Sequence, residues 1–100
     1  MDEKQKEIFI ENFHELCKTL NTNNDEQLLL DFFESILSPS EIIDIAKRWL
    51  LVKELDSGVV QRDIATRYNI SLCKISRGVK ELKKENSAFK KMLTLSESIK

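Results

Sequence analysis

Residues 61–80 read Gln-Arg-Asp-Ile-Ala-Thr-Arg-Tyr-Asn-Ile-Ser-Leu-Cys-Lys-Ile-Ser-Arg-Gly-Val-Lys. Two groups in this stretch carry side chains suited to a polyanion. Gln61 and Arg62 come first: an amide and a guanidinium that can meet backbone phosphates, with Arg62 also able to take a guanine edge bidentately. Ser71, Leu72, Cys73, Lys74 and Ser76 form the second group. Leu72 and Cys73 offer apolar contact to a thymine methyl, and Lys74 a phosphate or guanine contact. Lys80, Lys83 and Lys84 follow as a phosphate-facing or solvated surface.

These groups work together only if two short helices hold them, and the intervening residues have the spacing of a helix-turn-helix. Ile64 and Tyr68 face inward from the first helix, and Ala65 is small where the two helices cross. Asn69 stands at the turn, where a left-handed backbone is needed and Asn is the best residue after Gly. Ile70 anchors the turn, Ser71 caps the second helix through its hydroxyl, and Ile75 packs that helix back onto the first. In such a motif the N-terminal residues of the second helix enter the major groove of double-stranded DNA. The alternative reading is an ordinary αα-hairpin that meets no nucleic acid.

The rest of the chain predicts more helix and no clear strand. Residues 5–20 set Phe9, Ile10, Phe13, Leu16, Cys17 and Leu20 at helical spacing. Asn24 to Gln27 reads as a capping box, with Asn24 as the cap and Gln27 reaching back, before Leu28, Leu29, Phe32, Phe33 and Ile36. Ser38-Pro39-Ser40-Glu41 opens a third helix that runs to about Ser57, where Gly58 stops it. That helix is apolar on much of its circumference, from Ile42, Ile43 and Ile45 through Trp49 to Leu55, so other protein must surround it. The expectation is an all-α fold of six helices forming an intertwined homodimer. A compact monomer around a buried central helix is the alternative. Within a single helical domain over 1–100, residues 1–58 would be the dimerisation core. Residues 60–84 would be the helix-turn-helix, and 85–100 a C-terminal helix returning to that core.

Charge is divided along the chain. The net charge of −1 hides 11 acids and 3 bases in residues 1–46, against 9 bases and 3 acids in residues 61–91. A local basic patch attracts polyanions even on a weakly acidic protein. With 41% hydrophobic residues the chain has enough apolar material to fold, and two Gly and one Pro are too few for a turn-rich β-sandwich. An enzyme is not expected. The single histidine, His14, has no Cys or Asp arranged for a triad, Cys17 and Cys73 have no partner at metal spacing, and there is no Gly-rich phosphate loop. Two cysteines are too few for a disulfide scaffold, no apolar run approaches the ~20 residues of a membrane span, and MDEKQKEIF lacks the features of a signal peptide. The expected setting is cytoplasmic, with no membrane partner.

Ser38-Pro39-Ser40-Glu41, Arg48, Gly58, Gln61-Arg62, Ile75-Ser76-Arg77-Gly78 and Leu82 together resemble the bacterial Trp repressor family, over about residues 28–84 and more loosely the whole chain. The resemblance implies an interlocked homodimer that represses genes of tryptophan biosynthesis or transport, its DNA-binding heads clamped by L-tryptophan as corepressor, with no covalent cofactor. It implies that Arg48 lies against the indole ring and that Arg77 contacts ring and carboxylate. Gly78 would leave room beside the ligand, and Ser38 would supply a hydroxyl near the carboxylate. Two guanidinium planes can sandwich an aromatic ring, and one can also bind carboxylate. Read without the resemblance, Arg48 is a partner for Asp44 on its own helix and Arg77 a phosphate contact. Glu81 stands where the family has a serine near the ligand's amino group, so its carboxylate either pairs with that ammonium or fills or repels the site. Trp49 replaces a smaller aliphatic residue, and the connection from Gly58 to Gln61 is one residue shorter than in the best-known members. The other readings are a Trp-repressor-like protein with a different effector or none, and a helical protein-interaction module.

Overall fold

The computed structural model describes residues 1–99; Lys100, the last residue of the expected C-terminal segment, lies outside them. Six helices follow one another: α1 (Glu3–Thr22), α2 (Glu26–Ile36), α3 (Pro39–Asp56), α4 (Gln61–Tyr68), α5 (Leu72–Lys83) and α6 (Ala88–Ser98), with no strand among the described residues. The chain divides into two units, Met1–Pro39 and Ser40–Lys100.

In the first unit, α1 starts earlier than its apolar stripe because Asp2 caps it: Asp2 Oδ1 accepts from Gln5 N–H at 2.8 Å. The cap of α2 is Asp25, not Asn24 as the capping-box pattern suggested. Asp25 Oδ1 accepts from Leu28 N–H at 3.2 Å, and Gln27 donates forward to Asp31 Oδ1 at 3.0 Å instead of reaching back. The shift has a local cause. Asn23 Oδ1 accepts from Asp25 N–H while Asn23 Nδ2 donates to Asp25 O, an Asx turn that fixes Asp25 at the helix entrance. Neither α1 nor α2 buries a residue, and Phe9 and Phe13 remain 60% exposed.

The second unit holds the core. Leu51 of α3, Ile64 of α4, Ile70 of the turn and Ile75 of α5 are buried together, with Leu55, Val59, Ala65 and Tyr68 packed against them. Gly58, at φ +94°, ends α3. Val59 N–H donates to Glu54 O at 3.0 Å and Gly58 N–H to Leu55 O at 3.1 Å, the Schellman pattern that satisfies the last carbonyls of a helix. Tyr68 Oη donates to Glu54 Oε1 at 3.3 Å and ties α4 to α3. The salt bridge from Lys90 Nζ to Asp56 Oδ1 at 2.5 Å ties α6 to α3. Ser87 is buried and caps α6 through Lys90 N–H.

Between α4 and α5 the chain reverses over Asn69, Ile70 and Ser71. Asn69 has φ 53° and ψ 48°, the left-handed conformation expected of it, and Ser71 Oγ accepts from Lys74 N–H at 3.3 Å. Because a Cβ is disfavoured in that region, Asn69→Ala is expected to destabilise the fold by ~1–2 kcal/mol. Asn69→Gly should stay within about 1 kcal/mol of the parent. Urea denaturation of both variants checks this; equal losses would mean that the Asn69 side chain, and not its backbone, matters.

Candidate functional site

The spacing of α5 divides its side chains between two faces. Cys73, Lys74, Arg77, Gly78 and Glu81 recur at intervals of one, three and four residues, which stack them along one side of a helix. Arg48, Leu51 and Val52 do the same on α3. These two stripes, with Phe89 of α6, line a cleft of about 240 Å³. Leu51 and Val52 are buried and give the cleft an apolar floor, Phe89 adds an aromatic ring, and the rim carries Arg48, Lys74, Arg77 and Glu81. Three cations, one acid and an apolar floor suit a small ligand that has both an apolar body and an anionic group.

Gly78 is what lets the walls approach. It is buried, and a Cβ built there would stand 3.2 Å from Leu51 Cδ2 and 3.3 Å from Leu55 Cδ1, tighter than ordinary van der Waals contact. The space that glycine opens is thus used first by the leucines of α3, which seat α5 on α3. Gly78 borders the cleft as a consequence.

Charge pairing around the cleft is specific. Asp44, the alternative partner for Arg48, instead has its Oδ1 3.8 Å from Lys74 Nζ, an α3–α5 pair. Lys84 Nζ lies 3.0 Å from both carboxylate oxygens of Glu81. Lys84 itself does not line the cleft; it borders the outer groove of α5 with Leu72, Ser76 and Lys80.

Of the residues singled out in the sequence, Arg48, Arg77, Gly78 and Glu81 are brought to one cleft, and Cys73 and Lys74, assigned only to DNA, join them. Leu72 is 68% exposed, and Gln61, Arg62, Ser71 and Ser76 are exposed as well, the first two at the start of α4 and the others at the start of α5. Ser71 uses an acceptor position of its hydroxyl to cap α5 and keeps its O–H to donate. Ser38 belongs to the first unit, exposed in the loop just before α3. Leu51, Val52 and Phe89 were not among the site residues chosen from sequence. The two aliphatic residues read there only as core, and Phe89 carried no signal beyond its place two residues after Ser87.

These features define a small all-helical protein with an exposed two-helix head packed against a charged cleft. A family model described as Trp repressor protein matches residues 11–97. The Trp operon repressor homolog of Chlamydia trachomatis serovar D is 36% identical over 90 residues, spanning 89% of this chain and 93% of the relative. The homolog from Chlamydia caviae is 35% identical over 82 residues, 81% and 78% of the two chains. That from Xylella fastidiosa strain M23 is 38% identical over 72 residues, 71% and 74%. No solved structure matches. The chain belongs to the Trp repressor family, a family of regulators, and is a Trp-repressor-like regulator. Among the described residues no helix is long and apolar enough to cross a membrane.

Proposed function

We propose that the chain is a homodimeric transcriptional repressor, acting in the cytoplasm on genes of tryptophan biosynthesis or transport. It reads a palindromic operator with the α4–α5 heads of two protomers and takes L-tryptophan in the α3–α5–α6 cleft as corepressor. The observation that carries this reading is the double use of α5. Leu72, Ser76 and Lys80 of this helix line its outer groove, Lys74 and Gly78 line the cleft, and Cys73, Arg77 and Glu81 border both. A ligand in the cleft therefore bears on the helix that faces DNA, which is what coupling between effector and operator requires. The cleft is smaller than the ~300–1,000 Å³ of drug-sized sites, a fit for one amino acid. Arg48 and Arg77 supply stacking and carboxylate contacts.

Gln61, Arg62, Ser71, Leu72, Cys73, Lys74 and Ser76 form the proposed DNA face. The exposed apolar residues Phe9 and Phe13 of α1, Leu28 and Ile36 of α2, and Ile43 and Ile45 of α3 support a second copy as partner. So many exposed large apolar side chains in each unit favour burial against further protein. The names of the relatives from Chlamydia and Xylella support the regulatory target.

The test is selection of bound duplexes from a random pool, with and without L-tryptophan. The expected result is a palindrome with half-sites one helical turn apart, ~34–36 Å, enriched only with ligand and bound at least ~1,000-fold better than random DNA. Lys74→Ala should weaken binding and lower the slope of log affinity against log salt by about one, with the dimer intact by light scattering. No enrichment in either pool overturns the DNA reading; equal enrichment in both overturns the corepressor.

A further inference from the structure

Lys74 is the third residue of α5, in the first turn of a helix that carries no acid there. Its ammonium therefore sits at the positive end of the helix dipole. The anion that this turn lacks comes from α3: Asp44 Oδ1 lies 3.8 Å from Lys74 Nζ. Asp44 stands four residues before Arg48 and eight before Val52, on the side of α3 that carries the cleft. The pair draws Lys74 inward. Among the described residues lining the outer groove of α5, the cations are Arg77, Lys80 and Lys84, whereas Lys74 lines the cleft. The pair is also easily parted. The Lys74 and Asp44 side chains are 42% and 52% exposed, and their separation is too long for a hydrogen bond. A lysine carries its charge on a flexible stem, so it can leave such a partner without moving the helix.

Resting on the DNA face proposed above, we infer that Asp44 is a positioning residue for Lys74. It is an internal carboxylate that occupies the lysine in the free protein and yields it to a phosphate of double-stranded DNA. Binding then exchanges one anion for another at Lys74, and the exchange runs toward DNA because neutralising a phosphate releases its condensed counterions. Asp44 thus lowers DNA affinity through Lys74. It does so for every sequence alike, since phosphates carry no sequence information.

The experiment is a double-mutant cycle on the full-length protein, read by fluorescence anisotropy with a random-sequence DNA duplex at low salt. Asp44→Asn should bind about two- to fivefold more tightly than the parent, the factor that an exposed ion pair is worth. In a Lys74→Ala background the same change should have no effect. Asp44→Glu keeps the carboxylate and should stay close to the parent. A purely structural role, tying α5 to α3, would instead weaken binding in Asp44→Asn and lower its urea midpoint. Such weakening, or an unchanged affinity, overturns the proposal. Tightening that persists in the Lys74→Ala background also overturns it, because Asp44 would then repel the duplex directly. In each of these cases the parent still binds DNA and that reading stands. A parent and variants that bind no duplex, with or without L-tryptophan, overturn both.

Discussion

Replacing Ile75 by alanine is expected to lower folding stability by about 2–5 kcal/mol. Ile75 is fully buried and meets Leu51, Ile64 and Ile70, one residue from each element of the two-helix head and its support. Truncation removes the transfer energy of three carbons and leaves a cavity that rigid helices refill poorly. A domain of this size has only ~5–15 kcal/mol in total, so the loss is a large share of it. The functional consequence runs through α5. The same helix lines the cleft through Lys74 and Gly78 and the outer groove through Leu72 and Ser76, with Arg77 and Glu81 bordering both, so loosening its seat degrades both together. Urea denaturation followed by circular dichroism, at one fixed protein concentration because the stability of the proposed dimer would depend on it, gives the number. A loss below about 1 kcal/mol would mean that the second unit is held by contacts other than this cluster.

That core was legible in the sequence because its cause is local. Ile64, Ile70 and Ile75 stand at intervals that only two helices around a tight turn bring together, and Asn69 and Ser71 announce the turn through backbone preference and capping. The cap of α2 was less legible. Asn24 and Asp25 are adjacent residues of nearly equal capping strength, and the choice fell to an Asx turn made by Asn23, one step outside the pattern. Gly78 shows a further limit. A glycine in a helix says that something comes close, but not whether it is a ligand or, as here, Leu51 and Leu55 of α3. Cys73 and Lys74 were read for the DNA face of α5 alone, yet both line the cleft, and Cys73 borders the outer groove as well. Phe89 reaches the cleft from a separate helix, and no spacing within one element can announce a meeting between two.

Arg77→Ala is expected to weaken L-tryptophan binding by about 2–5 kcal/mol, from a charge-assisted hydrogen bond of ~1.5–3 kcal/mol and ring stacking of ~0.5–2 kcal/mol. The size of the effect matters less than its pattern, because Arg77 has a rival role as a phosphate contact. Arg77→Lys separates the two. Lysine keeps the charge, so a phosphate contact largely survives; it lacks the planar fork that stacks on a ring while binding carboxylate, so the ligand contact does not. The cleft assignment therefore expects Arg77→Lys to resemble Arg77→Ala in calorimetry with L-tryptophan. Because Arg77 is exposed at the cleft rim, neither variant should shift urea unfolding by more than about 0.5 kcal/mol. DNA affinity should fall in both only as far as the ligand's help is lost, since coupling between two bound ligands is reciprocal. At saturating L-tryptophan the loss should shrink. A lysine variant that binds L-tryptophan like the parent would remove Arg77 from the cleft's machinery. A DNA defect that persists at saturating ligand in the alanine variant, and is repaired by lysine, would assign this residue to a phosphate.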